Sequence, residues 1–140
     1  MTSRTFSLKG NRTLTLSELK VPAAGEVAPP FVTLLPAYSE AERRKAEAIA
    51  TAMIDLRLGC IQLTCVGPES ELLHDTLDEI IVQRAKLGIV TTWDVLPAEA
   101  AFYFVHGALA EEFNLLAMVS AHSDLEAMLE MEAKREPFQQ

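Results

Sequence analysis

From residue 31 onward the chain alternates short apolar runs with amphipathic helical stretches, and this alternation constrains the fold more than any other feature. FVTLLPA (31–37) is an apolar run stopped by proline, which reads as a buried strand. Ser39 follows, with Glu42 three residues on, a capping box that opens a helix. Ala46, Ile49, Ala50, Met53 and Arg57 then recur at helical spacing until Gly59 ends the stretch. CIQLTCV (60–66) reads as a second strand, in which Gln62 and Thr64 share one face expected to be only partly covered. Gly67-Pro68 turns into a helix over 69–84 with Leu73, Leu77, Ile80, Ile81 and Arg84 on its inner stripe. GIVTTW (88–93) is a third strand and FNLLAMVS (113–120) a fourth. Between them Pro97 suits the first turn of a helix that reaches His106, with Ala101, Phe104, Val105 and Ala108 facing the core. Ser123 with Glu126 caps a last helix through Lys134.

Helical crossovers between strands require parallel pairing with right-handed connections. The expected class is therefore α/β: a small open sheet of about four parallel strands with flanking helices in two or three layers. Residues 4–17 add a hairpin about the turn signal Gly10-Asn11, with Phe6 opposite Leu16 and Leu8 opposite Leu14, and it either extends the sheet edge or covers one face. PAAGEVAPP (22–30) is a Pro-rich connector that fits neither helix nor central strand. With 140 residues, 1–140 is expected to be a single domain: 1–21 the hairpin segment, 22–30 the connector, 31–136 the βα repeat region.

The composition, 49% hydrophobic and 23% charged, is that of a soluble globular chain, and no run approaches the roughly 18 apolar residues of a membrane span. The start, MTSRTFSLKGNRT, lacks the apolar core of a secretory signal. Cys60 and Cys65 lie five apart in one expected strand, hence on opposite faces, unable to bridge and suited to a reducing cytoplasm. Residues 1–60 hold eight Lys/Arg against six Asp/Glu, whereas 61–140 hold four against fourteen. Such an acidic half repels phosphate backbones, which argues against nucleic acid and for a basic protein partner.

In an open parallel sheet, ligands bind beyond the carboxyl ends of the strands. Those ends carry Tyr38-Ser39-Glu40, Gly67-Pro68-Glu69, Thr92-Trp93-Asp94 and Ser120-Ala121-His122. The following helix adds Glu71, His74, Asp75 and Asp78, which share the face opposite Leu73, Leu77 and Ile81. His74 and Asp78 have the spacing of a two-ligand metal contact, but a third ligand would have to come from Asp94 or His122, and a solvated helix face explains the cluster without a metal. Arg43-Arg44-Lys45 opposes the helix dipole and could serve a phosphate, yet the preceding turn lacks glycine. The spacings Glu40/Arg44 and Arg43/Glu47 explain that run as ion pairs. Trp93, the only tryptophan, is either a rim residue or a stacking anchor, and His106 suits the C-terminal dipole of its helix. No nucleophile elbow, Ser-His-Asp arrangement or Walker motif occurs.

Gly59-Cys60, Gly67-Pro68, His74-Asp75 with Asp78, and Thr91-Thr92-Trp93 together resemble a family of short uncharacterised bacterial α/β proteins. The likeness covers about fifty residues, 59–105. It departs at Asp94, where the family-like pattern has histidine after the tryptophan. It implies the fold and carries no established activity. The functional expectation is a non-enzymatic, cytoplasmic, acidic protein-interaction module, an immunity- or antitoxin-type inhibitor or accessory binding protein of a bacterium. Its candidate binding residues are Glu71, His74, Asp75, Asp78, Trp93 and Asp94, with no metal and no cofactor. The alternative is a small-ligand binder or enzyme using the strand-end pocket. A homo-oligomer is compatible with either.

Overall fold

The apolar runs assemble into one sheet in the order β1-β2-β6-β3-β4-β5. The computed structural model describes residues 3–86, 88–107 and 112–135. Its strands are β1 (Arg4–Ser7), β2 (Thr13–Leu16), β3 (Phe31–Pro36), β4 (Cys60–Val66), β5 (Val90–Asp94) and β6 (Asn114–Ala117). Its helices are α1 (Glu40–Asp55), α2 (Ser70–Gln83), α3 (Pro97–His106) and α4 (Ser123–Arg135). Ala108 and Glu136, expected in the third helix and at the end of the repeat region, lie outside the described residues, as do residues 1–2.

The four strands expected to run parallel do so, and β2 joins them as a fifth. The hairpin thus extends the edge rather than covering a face. Leu14, Thr15 and Leu16 pair with Leu115, Leu116 and Ala117, and Ser17 N–H continues the ladder onto the Ala117 carbonyl at 2.8 Å. Within the hairpin the register differs from expectation: Phe6 faces Leu14 and Arg4 faces Leu16. Both Gly10 (φ 75°) and Asn11 (φ 64°) adopt left-handed backbone, and Leu8 N–H closes on the Arg12 carbonyl at 2.8 Å. That centres the three-residue turn on Gly10; the shift of two preserves which side chains share a face.

Layering follows from which residues each face buries. Leu35, Leu63 and Cys65 pack beneath Ala46, Ile49, Ala50 and Met53 of α1 and Leu73, Leu77 and Ile81 of α2. On the opposite face Val32, Leu34, Val66 and Leu115 meet Ala101, Phe104 and Val105 of α3 and Leu125 and Leu129 of α4. The result is three layers, with α1 and α2 on one side and α3 and α4 on the other.

Three local expectations are corrected. Cys60 and Cys65 face the same core, because the β3–β4 register jumps from Phe31↔Cys60 to Val32↔Gln62 and the extra residue, Ile61, reverses side-chain parity. The first helix ends at Asp55, not Gly59: Arg57 takes left-handed backbone (φ 56°) and Leu58 N–H reaches the Met53 carbonyl at 3.2 Å. Gly59 instead brings the chain past Pro29, whose Cβ would lie 2.3 Å from any added Cβ. Arg84 lies outside the inner stripe of α2, and its Nε donates to Asp55 Oδ1 at 2.6 Å, tying α2 to the end of α1.

Candidate functional site

The chain's path reverses between β3 and β6. The helix after β3 covers one face and the helix after β6 covers the other, so the crevice beyond their carboxyl ends is where the fold favours a ligand. Side chains fill it. Ser39 Oγ accepts from Glu42 N–H at 3.2 Å, as its place before α1 predicts. Glu42 does not complete the expected box; its Oε1 accepts from Tyr38 N–H at 2.8 Å and its Oε2 lies 2.6 Å from His122 Nε2. The His122 ring stacks on Tyr38 with centroids 3.9 Å apart. Burial, and then the carboxylates of Glu42 and Asp124, hold the Tyr38 hydroxyl above its ordinary range, so it stays protonated at neutral pH. This cluster joins α1 to the turn before α4. The strand ends that carry Tyr38 and His122 converge as expected, whereas the bond through Glu42 between them leaves no mark in the sequence.

The cluster anticipated on α2 assembles against β5. His74 Nδ1 lies 3.0 Å from Asp75 Oδ1, and its Nε2 lies 3.6 Å from Asp78 Oδ2. Thr91 Oγ1 on β5 donates to Asp78 Oδ1. The His74 ring sits 6.5 Å from the Trp93 ring, tilted by 58°. Glu71, Asp75, Asp78 and Glu79 are exposed, and Trp93 is 40% exposed. His122 is committed to Glu42, and Asp94 Oδ1 accepts from Leu96 N–H at 3.0 Å, an Asx-type turn past β5. Neither joins His74 and Asp78 as a third ligand. Among the described residues no three His, Cys, Asp or Glu side chains converge to hold a metal ion.

The other face of β4 and β5 forms a cleft of about 240 Å³ lined by Thr64, Thr92, Trp93, Asp94, Ala100 and Tyr103. Gln62 and Thr64, expected to be partly open, are buried there because α3 lies over them. Gln62 Nε2 donates to Thr64 Oγ1 at 3.2 Å and to the Tyr103 hydroxyl at 3.4 Å, while Thr92 Oγ1 donates to Thr64 Oγ1 at 3.1 Å. The floor is polar but satisfied.

Two of the three basic residues at 43–45 are engaged. Arg43 Nη1 reaches Glu47 Oε2 at 2.7 Å and its Nε reaches Glu69 Oε1 at 2.9 Å; Arg44 pairs with Glu40 at 2.8 Å. Arg43 and Arg44 of the run that could have served a phosphate are thus used in ion pairs, one of which fastens α1 to the turn before α2. His106 likewise does more than suit a helix dipole: its Nε2 lies 3.0 Å from Oε1 of buried Glu132, joining α3 to α4.

No helix among the described residues is long and apolar enough to cross a membrane. No curated protein and no solved structure matches the chain. One family profile does, over residues 12–134, and that span includes the reversal-point crevice, the α2 cluster and all five parallel strands. The chain belongs to the family described as a domain of unknown function, DUF7684.

Proposed function

We propose that this protein is a non-enzymatic, acidic interaction module that occludes a basic protein partner, in the manner of an immunity- or antitoxin-type inhibitor or an accessory binding protein. One juxtaposition supports this most directly. Trp93, 40% exposed, lies 6.5 Å from the His74 ring, which contacts Asp75 and Asp78 on the helix that also exposes Glu71 and Glu79, while Arg43, Arg44 and Arg84 are held by Glu47, Glu69, Glu40 and Asp55. A partly exposed aromatic ring close to a helix face with exposed carboxylates fits an anchor within a steering surface. The pattern Gly59-Cys60, Gly67-Pro68, His74-Asp75 with Asp78, and Thr91-Thr92-Trp93 is taken as the motif of that surface and its support. A cytoplasmic location suits two unbridged thiols.

Changing Glu71, Asp75 and Asp78 to lysine should slow partner association about tenfold or more at low salt, with much less effect at high salt. Trp93→Ala should instead speed dissociation. The product of a neighbouring gene is the first partner to measure by stopped-flow or surface binding. Association unchanged by the triple substitution at every salt concentration would move the binding surface elsewhere.

The cleft between β5 and α3 favours a second reading, a small-ligand site. At about 240 Å³ it is smaller than the roughly 300–1,000 Å³ usual for such sites, and the polar groups of its floor already satisfy one another. A ligand-dependent rise in melting temperature, abolished by Tyr103→Ala, would favour this reading over the first.

A further inference from the structure

β5 is the open edge of the sheet. It pairs with β4 alone among the described residues, so one row of its backbone N–H and C=O groups has no strand beside it. Proteins commonly blunt such edges with lysine, proline, a bulge or a covering element. The opposite edge carries charge: Arg4 reaches Glu130 at 3.4 Å and lies 5.4 Å from the centroid of the Phe6 ring. β5 differs. β5 contains no lysine and no proline, its one charge is Asp94 at its carboxyl end, and the β4–β5 ladder is regular from Val90 to Asp94.

Side-chain parity gives the two sides of this edge different chemistry. Thr91 and Trp93 point toward α2, where Thr91 bonds Asp78 and Trp93 lies near His74. Val90, Thr92 and Asp94 therefore point toward α3, where Thr92 bonds Thr64 and Tyr103 overhangs. A strand laid against β5 would meet Asp75, Asp78 and Trp93 on one side. On the other it would meet Val90, 46% exposed, and Tyr103, 42% exposed, with Asp94 at the strand end turned onto the Leu96 N–H.

We infer that β5 takes an extended segment of the partner as a seventh strand, with basic side chains toward α2 alternating with apolar ones toward α3. This deepens the reading above and rests on it. Main-chain bonds would supply affinity and the alternate side chains specificity, as in strand addition generally. A second copy of this chain fits poorly. A twofold β5–β5 pairing is antiparallel and sets both α2 helices on the same side of the joined sheet, acid against acid.

The test uses the full chain and a nine-residue peptide of alternating lysine and valine, with binding read by fluorescence of Trp93, the only tryptophan. Two further peptides carry backbone N-methyl groups on the lysines only or on the valines only. In a strand, alternate N–H groups point to the same edge, so one methylated set removes every donor facing β5 and the other removes none. The expected result is that the parent peptide binds at low salt, one methylated peptide loses at least about tenfold, and the other binds like the parent. Equal binding of all three, weakened by Asp75→Lys with Asp78→Lys, would overturn strand addition while leaving the acidic docking surface standing. No binding by any of them at low salt would contradict both.

Discussion

At the scale of single residues, burial and one irregularity in the sheet set the chemistry of the two cysteines. The extra residue at Ile61 turns Cys60 into the core it shares with Cys65, where its Sγ lies 3.2 Å from Thr33 Oγ1. Burial pushes the Cys60 thiol from 9.0 up to about 11 and the Cys65 thiol higher still, with the charge of Asp78 adding to the latter. Both stay protonated and unreactive at neutral pH. A raised thiol pKa contributes stability that is fully present below the unfolded value and is lost as pH rises through the folded one. The window for Cys60 is therefore pH 9.0 to about 11. Denaturant melts across this window should show Cys60→Ala losing less stability than the parent, by up to about 2 kcal/mol. Parallel pH profiles for the two proteins would contradict a buried thiol. The sequence pointed to unbridged thiols correctly but to opposite faces wrongly, since a bulge is decided by pairing with β3 and leaves no mark in CIQLTCV.

At the scale of elements, α1 and α2 end where their last carbonyls find partners rather than where a glycine stands. α1 and α2 close alike. Arg57 and Ala85 take left-handed backbone, with φ of 56° and 55°, while Leu58 and Lys86 N–H groups reach back to the carbonyls of Met53 and Ile81. Non-glycine residues in that conformation cost about 1–2 kcal/mol, partly offset by the lower chain entropy they lose on folding. Arg57→Gly and Ala85→Gly should each stabilise the fold by about 0.5–1 kcal/mol in urea titrations. Destabilisation by either would mean that the side chain contributes contacts outweighing its strained backbone. The strand and helix periods at 31–36, 39–55, 60–66 and 70–83 were legible because each element buries one stripe. The end of α1 was not, because Gly59 looks like a terminator yet is required by its contact with Pro29.

At the scale of the whole molecule, the parallel sheet and the acidic bias of residues 61–140 were both readable in the chain, one from alternation and the other by counting. Unreadable was the way the two meet. The reversal between β3 and β6 is occupied by Tyr38, Glu42 and His122, while the exposed carboxylates of α2 flank the open edge β5. Residues 80 positions apart in sequence make the first cluster, which no local pattern encodes. The second was visible as a helix face, but its neighbour, a lysine-free edge strand carrying Trp93, emerges only from the strand order. The proposed strand addition puts binding at this edge and not at the reversal point. Amide hydrogen exchange of the full chain with and without its partner separates the two. Slowed exchange concentrated in β5 and along α2, with β1 and the Tyr38–His122 crevice unchanged, is the predicted result. Slowing centred on residues 36–42 and 118–124, with β5 exchanging as in the free chain, would contradict it.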